Sequence, residues 1–195
     1  MARAGSGPVS AELIEQEAIR LFGERTYPVV GMRDIGDAVG LLPGSLYVHI
    51  SSKEDLLLRI VERGITNYLD VIEPIAAYAE KASVRLRGMV VAHLRVLAGA
   101  KEQTRVAFEQ WVYLGADKHT QIVELRTRYE QAFSTVVADG VTSGEFREPR
   151  SQKVAVLATI GMLTAATIWY DPGGALSPDE VGEALADHVL EGLQK

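Results

Sequence analysis

The stretch from Val29 to Leu58, VVGMRDIGDAVGLLPGSLYVHISSKEDLLL, determines the predicted fold. Its first part carries four apolar residues at helical spacing: Met32, Ile35, Ala38 and Val39. This spacing predicts a short helix with one buried face. Gly40 follows at the position where a helix end favours a left-handed residue, and Pro43 can open the next helix. The pattern therefore predicts two helices joined by a tight turn.

The second helix is predicted to be short, with Leu46 and Ile50 facing inward. Its outer face is small and polar and consists of Gly44, Ser45, Tyr47 and His49. Ser52 is a predicted N-cap for a third helix, because its hydroxyl can accept a free backbone N–H. Small residues allow a close backbone approach to the major groove, where hydroxyl and imidazole groups can bond phosphates and bases. The sequence therefore predicts a DNA-reading helix-turn-helix.

The same residues resemble the signature of the TetR family of bacterial transcriptional regulators: Ile35, Ala38-Val39-Gly40, Gly44-Ser45-Leu46-Tyr47, His49, Ser52-Lys53-Glu54 and Leu56. The preceding run AIRLFGER, residues 18–25, is similar to the first helix of that family. The resemblance implies an all-α protein. A three-helix DNA-binding domain is expected over residues 1–60. A long helix then leads into a ligand-binding and dimerisation domain over residues 61–195.

Three residues depart from the family pattern. Gly36 replaces the usual Ala, which weakens a helix interior by about 0.5–1 kcal/mol. Ile50 replaces the usual Phe, and Leu42 replaces a frequent Ser or Thr, so the recognition helix is expected to lack an N-cap. These departures bear on which DNA sequence is read.

Eight residues are predicted to contact DNA: Arg33, Leu42, Pro43, Gly44, Ser45, Tyr47, His49 and Lys53. Tyr47, His49 and Lys53 are assigned to phosphates, and Leu42, Gly44 and Ser45 lie where base edges are reached. The first nine residues are expected to form a flexible arm, in which Arg3 offers an alternative minor-groove contact.

Composition limits the remaining possibilities. The chain has 195 residues, a net charge of −6 and no cysteine, which excludes disulfides, a thiolate nucleophile and cysteine metal sites. The four histidines have no metal-binding spacing, so no enzyme, cofactor or metal is expected. The acidic balance predicts modest non-specific DNA affinity. The N-terminus lacks the apolar core of a signal peptide, and a cytoplasmic protein is expected.

Apolar periodicity predicts helices throughout the remaining chain, and no alternating strand is found. The predicted bounds are Ser10 to Arg25, Ser52 to about Pro74, Ser83 to Gly99, Lys101 to Leu114, Asp117 to Ser143, Ser151 to Tyr170, and a last helix opened by a capping box at Ser177-Pro178-Asp179-Glu180.

A hydrophobic ligand pocket is predicted between the middle helices, from residues with soft, aromatic or polar-tipped side chains. These residues are Met89, His93, Trp111, Tyr113, Tyr129, Phe133 and Met162. Ordinary core packing is the alternative for each, and for His93 a buried histidine with satisfied hydrogen bonds. The segments LPGSLY and WYDPGGALSPDE resemble a subgroup linked to lipid, steroid and acyl-CoA catabolism.

The uncharged run Val154–Tyr170 could be a membrane span or a buried helix. It lies at the short limit of the 17–25 residues that a span requires, and it is rich in Ala, Thr and Gly. The family resemblance implies instead that the last two helices form a two-fold homodimer. The predicted interface residues are Gly161, Ala165, Ala166, Trp169, Leu185 and Val189.

Taken together, the expected function is a homodimeric repressor on palindromic double-stranded DNA. A small hydrophobic ligand would release it by favouring a form with wrongly spaced recognition helices. The alternative is a helical-bundle enzyme or binding protein without DNA-binding activity.

Overall fold

The computed structural model describes residues 10–193, and in that range the regular structure is entirely helical. The elements are α1 (Ala11–Arg25), α2 (Met32–Val39), α3 (Pro43–Leu46), α4 (Lys53–Ala76), α5 (Ala82–Gly99), α6 (Lys101–Glu109), a 3-10 turn (Trp111–Tyr113), α7 (Ala116–Thr142), α8 (Gln152–Trp169) and α9 (Pro178–Leu193). The predicted all-α class is confirmed. The predicted N-terminal arm and Arg3 lie outside the described residues.

Local signals in the sequence set the boundaries of α1 and α2. Ser10 caps α1 by accepting the N–H of Leu13 at 3.3 Å. α2 begins where Asp34 accepts the N–H of Gly31 at 2.6 Å, and it ends at Gly40, whose φ of 71° is left-handed. Ala38 is exposed, so its predicted place on the buried face of α2 is wrong.

Gly36 allows the turn between α2 and α3 to close tightly. Its carbonyl accepts the N–H of Leu41 at 2.8 Å. A Cβ on Gly36 would lie 2.8 Å from the carbonyl oxygen of Leu41 and 3.3 Å from a methyl group of Leu46. The departure from the family's usual Ala is therefore matched by a close backbone contact in this chain.

α4 connects α1, α2 and α3, the helices predicted to read DNA, with the rest of the molecule. Ser52 caps it by accepting the N–H of Asp55 at 3.0 Å, as predicted. One face of the helix is buried, from Leu56 and Ile60 to Leu69 and Ile72. It continues two residues past Pro74, which lies in its last turn. The expected domain boundary at residue 60 would fall inside this continuous helix and stays a prediction.

The remaining helices pack around α4. α7 lies along α4, α5 packs between α4 and α9, and α8 contacts α6 and α7. The capping box at α9 is present, with Ser177 accepting the N–H of Glu180 at 3.2 Å and Glu180 accepting that of Ser177 at 2.8 Å. Gly144, with φ 79°, follows the end of α7 as predicted.

The single helix predicted from Lys101 to Leu114 is wrong beyond Glu109. α6 ends there, and the 3-10 turn Trp111–Tyr113 follows. The buried side chain of Gln110 forms two hydrogen bonds. It donates to the carbonyl of Phe22 in the last turn of α1, and it accepts the N–H of Tyr27, which lies two residues after the end of that helix. Tertiary hydrogen bonds of this kind override helical periodicity, which reports only local preference.

Candidate functional site

The segment from Leu42 to Ile50 presents an exposed surface on two buried anchors. Leu46 is fully buried and Ile50 is 3% exposed. The predicted DNA contacts Leu42, Gly44, Ser45, Tyr47 and His49 are all exposed, and so is Arg33 on α2. The side chain of Pro43 lies outside the described part of the chain. The arrangement suits a protruding unit that reads a groove while its anchors hold its orientation.

Val48 was missed by the sequence prediction, although it is 83% exposed. It lies between Tyr47 and His49, two predicted contacts. An apolar side chain at such a position can contact a thymine methyl group. The spacing of Leu46 and Ile50 could have predicted this exposure. These two buried residues are four positions apart on one helical face, so Val48, midway between them, points to the opposite face.

Lys53 has internal partners in addition to the DNA phosphate that is predicted for it. Its Nζ donates to the carbonyls of Tyr27 at 2.7 Å and Val30 at 2.5 Å, and it lies 4.1 Å from the centre of the Tyr27 ring. Burial lowers the pKa of this amine. The residue therefore ties α4 to the segment before α2, and at most one N–H remains for a DNA phosphate.

A buried aromatic cluster fills the space between α4, α5, α6 and α7. His93 Nδ1 lies 2.6 Å from Tyr129 Oη, and the His93 ring packs 4.5 Å from that of Tyr68. Burial lowers the pKa of His93 to about 3 and raises the pKa of Tyr129, so both groups are neutral near pH 7. Met89 and Phe133 are fully buried nearby in the same core.

For Met89, His93 and Phe133 the alternative of core packing applies. They are fully buried and are not among the residues that line the cavity next to Tyr129. Their direct contact with a ligand stays a prediction. Large side chains on adjacent helices can either pack against one another in the core or line a cavity. Residue type is the same in both cases, so composition alone does not separate the two roles.

A cavity of about 200 Å³ lies between α6, the 3-10 turn, α7 and α8. Two predicted ligand residues, Trp111 and Tyr129, line it. The other lining residues are Phe108, Val123, Arg126, Thr127, Glu130, Leu157 and Ile160. The structure therefore supports a pocket at this place, but with a different set of walls from the predicted one.

Arg126 is the lining residue that the sequence prediction missed. Its Cζ lies 4.6 Å from the centre of the Trp111 ring and 5.6 Å from that of Phe108. Its Nη1 is buried and has no hydrogen-bond partner among the described residues. Burial lowers the pKa of its guanidinium. A signal existed, because Arg126 is spaced four residues from Ile122 and three from Tyr129, on the buried stripe of α7.

Tyr113 and Met162 lie elsewhere, so the seven predicted ligand residues do not form one pocket. Tyr113 stacks on Tyr27 with ring centres 5.9 Å apart, at the boundary with the DNA-reading helices. Met162 lies in a separate surface groove of about 260 Å³ between α8 and α9. The 3-10 turn explains the first difference, because it turns Tyr113 away from Trp111.

The exposed faces of α8 and α9 carry most of the predicted dimer residues. Gly161, Ala165 and Trp169 are exposed, and Leu185 and Val189 are partly buried. Ala166 is fully buried within its own chain, so its predicted place in the interface is wrong. One residue along a helix is a rotation of about 100°, which separates Ala165 outside from Ala166 inside.

α8 is long and apolar enough to cross a membrane by length and composition alone, with 18 residues and a mean hydropathy of 1.3. Only 28% of these residues are buried within the described chain. Exposed apolar side chains along α8 include Val154, Leu157, Ile168 and Trp169. A continuous apolar surface of this kind marks an interaction face.

Two family matches together cover most of the chain. Residues 14–60 match the family described as bacterial regulatory proteins, tetR family. Residues 79–193, more than half of the chain, match the tetracyclin repressor-like C-terminal domain. The two matched segments fall on the DNA-reading helices and on the helices from α5 to α9 respectively.

The chain is similar along most of its length to characterised regulators. The transcriptional repressor KstR2 of Rhodococcus jostii is 28% identical over 177 residues, which cover 90% of this chain and 87% of that protein. The solved ketosteroid transcriptional regulator KstR2 of Mycobacterium tuberculosis is 24% identical with a TM-score of 0.87, covering 98% of both chains. AibR, solved with isovaleryl coenzyme A and operator DNA, is 22% identical with a TM-score of 0.81, covering 94% and 97%.

At these identities the two structures establish the shared fold. Family membership itself follows from the two matched segments. It explains why the exposed segment Leu42–Ile50 is joined to a helical domain that has a cavity at Trp111 and an apolar face on α8. It also separates the chain from the alternative of a helical-bundle enzyme, because the matching families and relatives are regulators. The protein is a soluble, DNA-binding transcriptional regulator and belongs to the TetR family.

Proposed function

We propose that this protein is a cytoplasmic repressor that binds a palindromic operator as a homodimer and leaves it when a small hydrophobic molecule fills the cavity at Trp111. The segment Leu42–Ile50 would read base edges, with Tyr47 and His49 on phosphates. The R. jostii relative carries the name of a transcriptional repressor. Its similarity along nine-tenths of the chain supports repression as the mode of action.

The observation that carries this proposal is the direct covalent and hydrogen-bonded path from the cavity to the DNA-reading helices. Trp111 lines the cavity, and its neighbour Gln110 bonds the carbonyl of Phe22 at 2.8 Å and the N–H of Tyr27 at 2.6 Å. Movement of the Trp111 wall would therefore be passed to the end of α1. A ligand acts in this way only if it binds the two forms of the protein with different affinities.

A second contact links the cavity to α4. Phe108 lines the cavity from α6, and the adjacent Ala107 packs against Gly64 of α4. A Cβ on Gly64 would lie only 2.6 Å from the Cβ of Ala107, so the two helices are in close contact there. Because α4 carries the DNA-reading unit at its N-terminus, displacement of α6 would alter the position of that unit.

The ligand class is proposed from the cavity and from the relatives. The walls are mainly aromatic and aliphatic, which favours an apolar body. The relatives include a ketosteroid regulator and a protein solved with isovaleryl coenzyme A. An acyl-CoA, or another intermediate of lipid catabolism, therefore fits the family context of this chain.

The dimer is proposed to form through the exposed faces of α8 and α9. Gly161 and Ala165 would allow the helices of two protomers to approach closely, and Trp169 would be buried between them. Homodimerisation gives the two-fold symmetry that a palindromic operator requires.

Selection of bound sequences from a random double-stranded DNA pool tests the proposal. We expect enrichment of an inverted repeat, and loss of that enrichment for a Tyr47→Ala, His49→Ala double variant that folds normally. Enrichment of no sequence, or of one without inverted symmetry, would contradict the proposal. Retained binding of small molecules in that case would favour a ligand-binding protein that does not read DNA.

A further inference from the structure

The cavity at Trp111 contains a guanidinium that has no ion-pair partner among the described residues. Arg126 lines the cavity, is partly buried and packs against the rings of Trp111 and Phe108. Its Nη1 is buried without a hydrogen-bond partner, and the guanidinium forms no ion pair with any carboxylate of the described chain. A buried guanidinium N–H without a hydrogen-bond partner costs free energy. An anion bound in the cavity would supply the missing acceptor and offset that cost.

We propose that Arg126 recognises the anionic group of the regulatory ligand, so that the ligand is an apolar body bearing a carboxylate or a phosphate. This inference rests on the proposed function, because it concerns the cavity whose occupation would release DNA. Guanidinium is suited to either anion, since its N–H groups can bind two oxygens side by side. The cation–π contact with Trp111 fixes its position before the ligand arrives.

Glu130, one turn further along α7, lines the same cavity. It is spaced correctly for an ion pair with Arg126, yet no such pair is present within the described residues. Its carboxylate would repel an anionic ligand. In the ligand-free protein, the same carboxylate would weakly stabilise the charge of Arg126. Glu130 is therefore expected to lower the affinity for the ligand, and its removal should raise that affinity.

The size of the cavity limits the part of the ligand that it can hold. A volume of about 200 Å³ equals that of roughly seven water molecules in the liquid. A short aliphatic chain or one small ring fits this space without displacement of the walls. A larger apolar body would either extend out of the cavity or displace α6 or α8, and displacement of α6 is the movement that the proposed release of DNA needs.

Isothermal titration of the full-length protein with three six-carbon probes tests the proposal without DNA. Hexanoate and hexyl phosphate carry the two candidate anions, and hexanamide is the neutral counterpart of hexanoate. We expect at least one anion to bind about ten- to hundredfold more tightly than hexanamide, the range of a charge-assisted hydrogen bond. The anion that binds more tightly identifies the ligand's head group.

Substitutions test the role of Arg126 in this preference. Arg126→Met should abolish the preference for an anion, Arg126→Lys should retain part of it, and Glu130→Gln should increase it.

Arg128→Met is the matched control, because Arg128 lies on the same helix but is exposed and paired with Glu73 at 2.8 Å. It should leave the preference unchanged. Equal binding of hexanoate and hexanamide to the normal protein would overturn the proposal, and so would a preference that survives in Arg126→Met. Failure of all three probes to bind at millimolar concentration would also overturn it. These titrations contain no DNA, and operator binding is tested by the separate selection experiment. A negative result here would therefore reject the role of Arg126 without rejecting the proposed DNA-binding function.

Discussion

The side chain of Gln110 accepts the backbone N–H of Tyr27 at 2.6 Å, across 83 residues of sequence. The same side chain donates to the carbonyl of Phe22, and it is only 4% exposed. Between these two contacts lies Thr26, the only non-glycine residue with a positive φ in the described chain, at 70°. Strain of this kind costs about 1–3 kcal/mol and persists only where neighbouring contacts hold it. Gln110 thus clamps the strained end of α1 to the segment beside Trp111, which lines the cavity.

Replacement of Gln110 tests this clamp. Gln110→Ala leaves the N–H of Tyr27 without its partner, and an unsatisfied buried group costs about 1–3 kcal/mol. The carbonyl of Phe22 keeps the N–H of Thr26 as a donor at 3.0 Å. We expect the free energy of unfolding in urea to fall by about 1–3 kcal/mol and hydrogen exchange at Tyr27 to accelerate. Gln121→Ala is the control, since Gln121 is exposed and its side chain donates a hydrogen bond to Glu62, away from α1. Equal exchange rates at Tyr27 in both variants would show that Gln110 does not clamp α1.

His93 should make the stability depend on pH. Burial lowers its pKa to about 3 in the folded protein, against about 6.5 when unfolded. The unfolded chain therefore binds the proton first, so His93's contribution to stability is complete above pH 6.5 and is lost as the pH falls towards 3. The slope reaches about 1.4 kcal/mol per pH unit.

The measurement compares urea unfolding of the normal protein and of His93→Gln between pH 7 and 4. The variant should show the shallower pH dependence, because glutamine does not titrate. His188→Gln, at an exposed position on α9, serves as the control. A variant as pH-sensitive as the normal protein would assign the loss of stability to other groups.

Adjacent residues of the DNA-reading segment should respond in opposite ways. Leu46 is fully buried, so Leu46→Ala should cost about 2–5 kcal/mol of unfolding free energy. Tyr47 is 56% exposed, so Tyr47→Ala should leave that free energy within about 0.5 kcal/mol while weakening DNA binding. Chemical unfolding and DNA titration measure the two effects. A large loss of stability in Tyr47→Ala would place its side chain in the fold and not on DNA.

Two neighbouring alanines of α8 separate dimerisation from folding. Ala165 is exposed, so Ala165→Arg should fold but dissociate the dimer, because an unpaired charge in an interface costs several kcal/mol. Ala166 is buried, and Ala166→Arg should prevent folding. Sedimentation velocity at micromolar concentration reads the first effect and circular dichroism the second, with exposed Ala79→Arg as the control. A dimeric Ala165→Arg would rule out this face of α8.

Local sequence signals were enough to predict the DNA-reading unit. Ser10, Gly40, Pro43 and Ser52 each act within a few residues, through a cap, a left-handed turn or a fixed φ. The buried and exposed faces of Leu46 and Tyr47 followed from helical spacing. Their actual contacts with DNA remain predictions.

Longer-range features were harder to predict. The break at Gln110 depends on partners in α1, and the internal role of Lys53 depends on two carbonyls more than twenty residues away. Side-chain type predicts pocket residues such as His93 and Phe133, but it does not point to Arg126. The feature that indicates Arg126 is a cation on the apolar stripe of α7, because charged side chains are rarely buried without a partner.

Hydroxyl-radical footprinting of the protein on its selected DNA tests the central claim most directly, when combined with the mass of the complex. A homodimer on a palindrome predicts two protomers per DNA. It also predicts two equivalent protected regions whose centres lie about 10–10.5 base pairs, or a multiple of that, apart. One protected region with one protomer, or uniform protection of any sequence, would contradict the account.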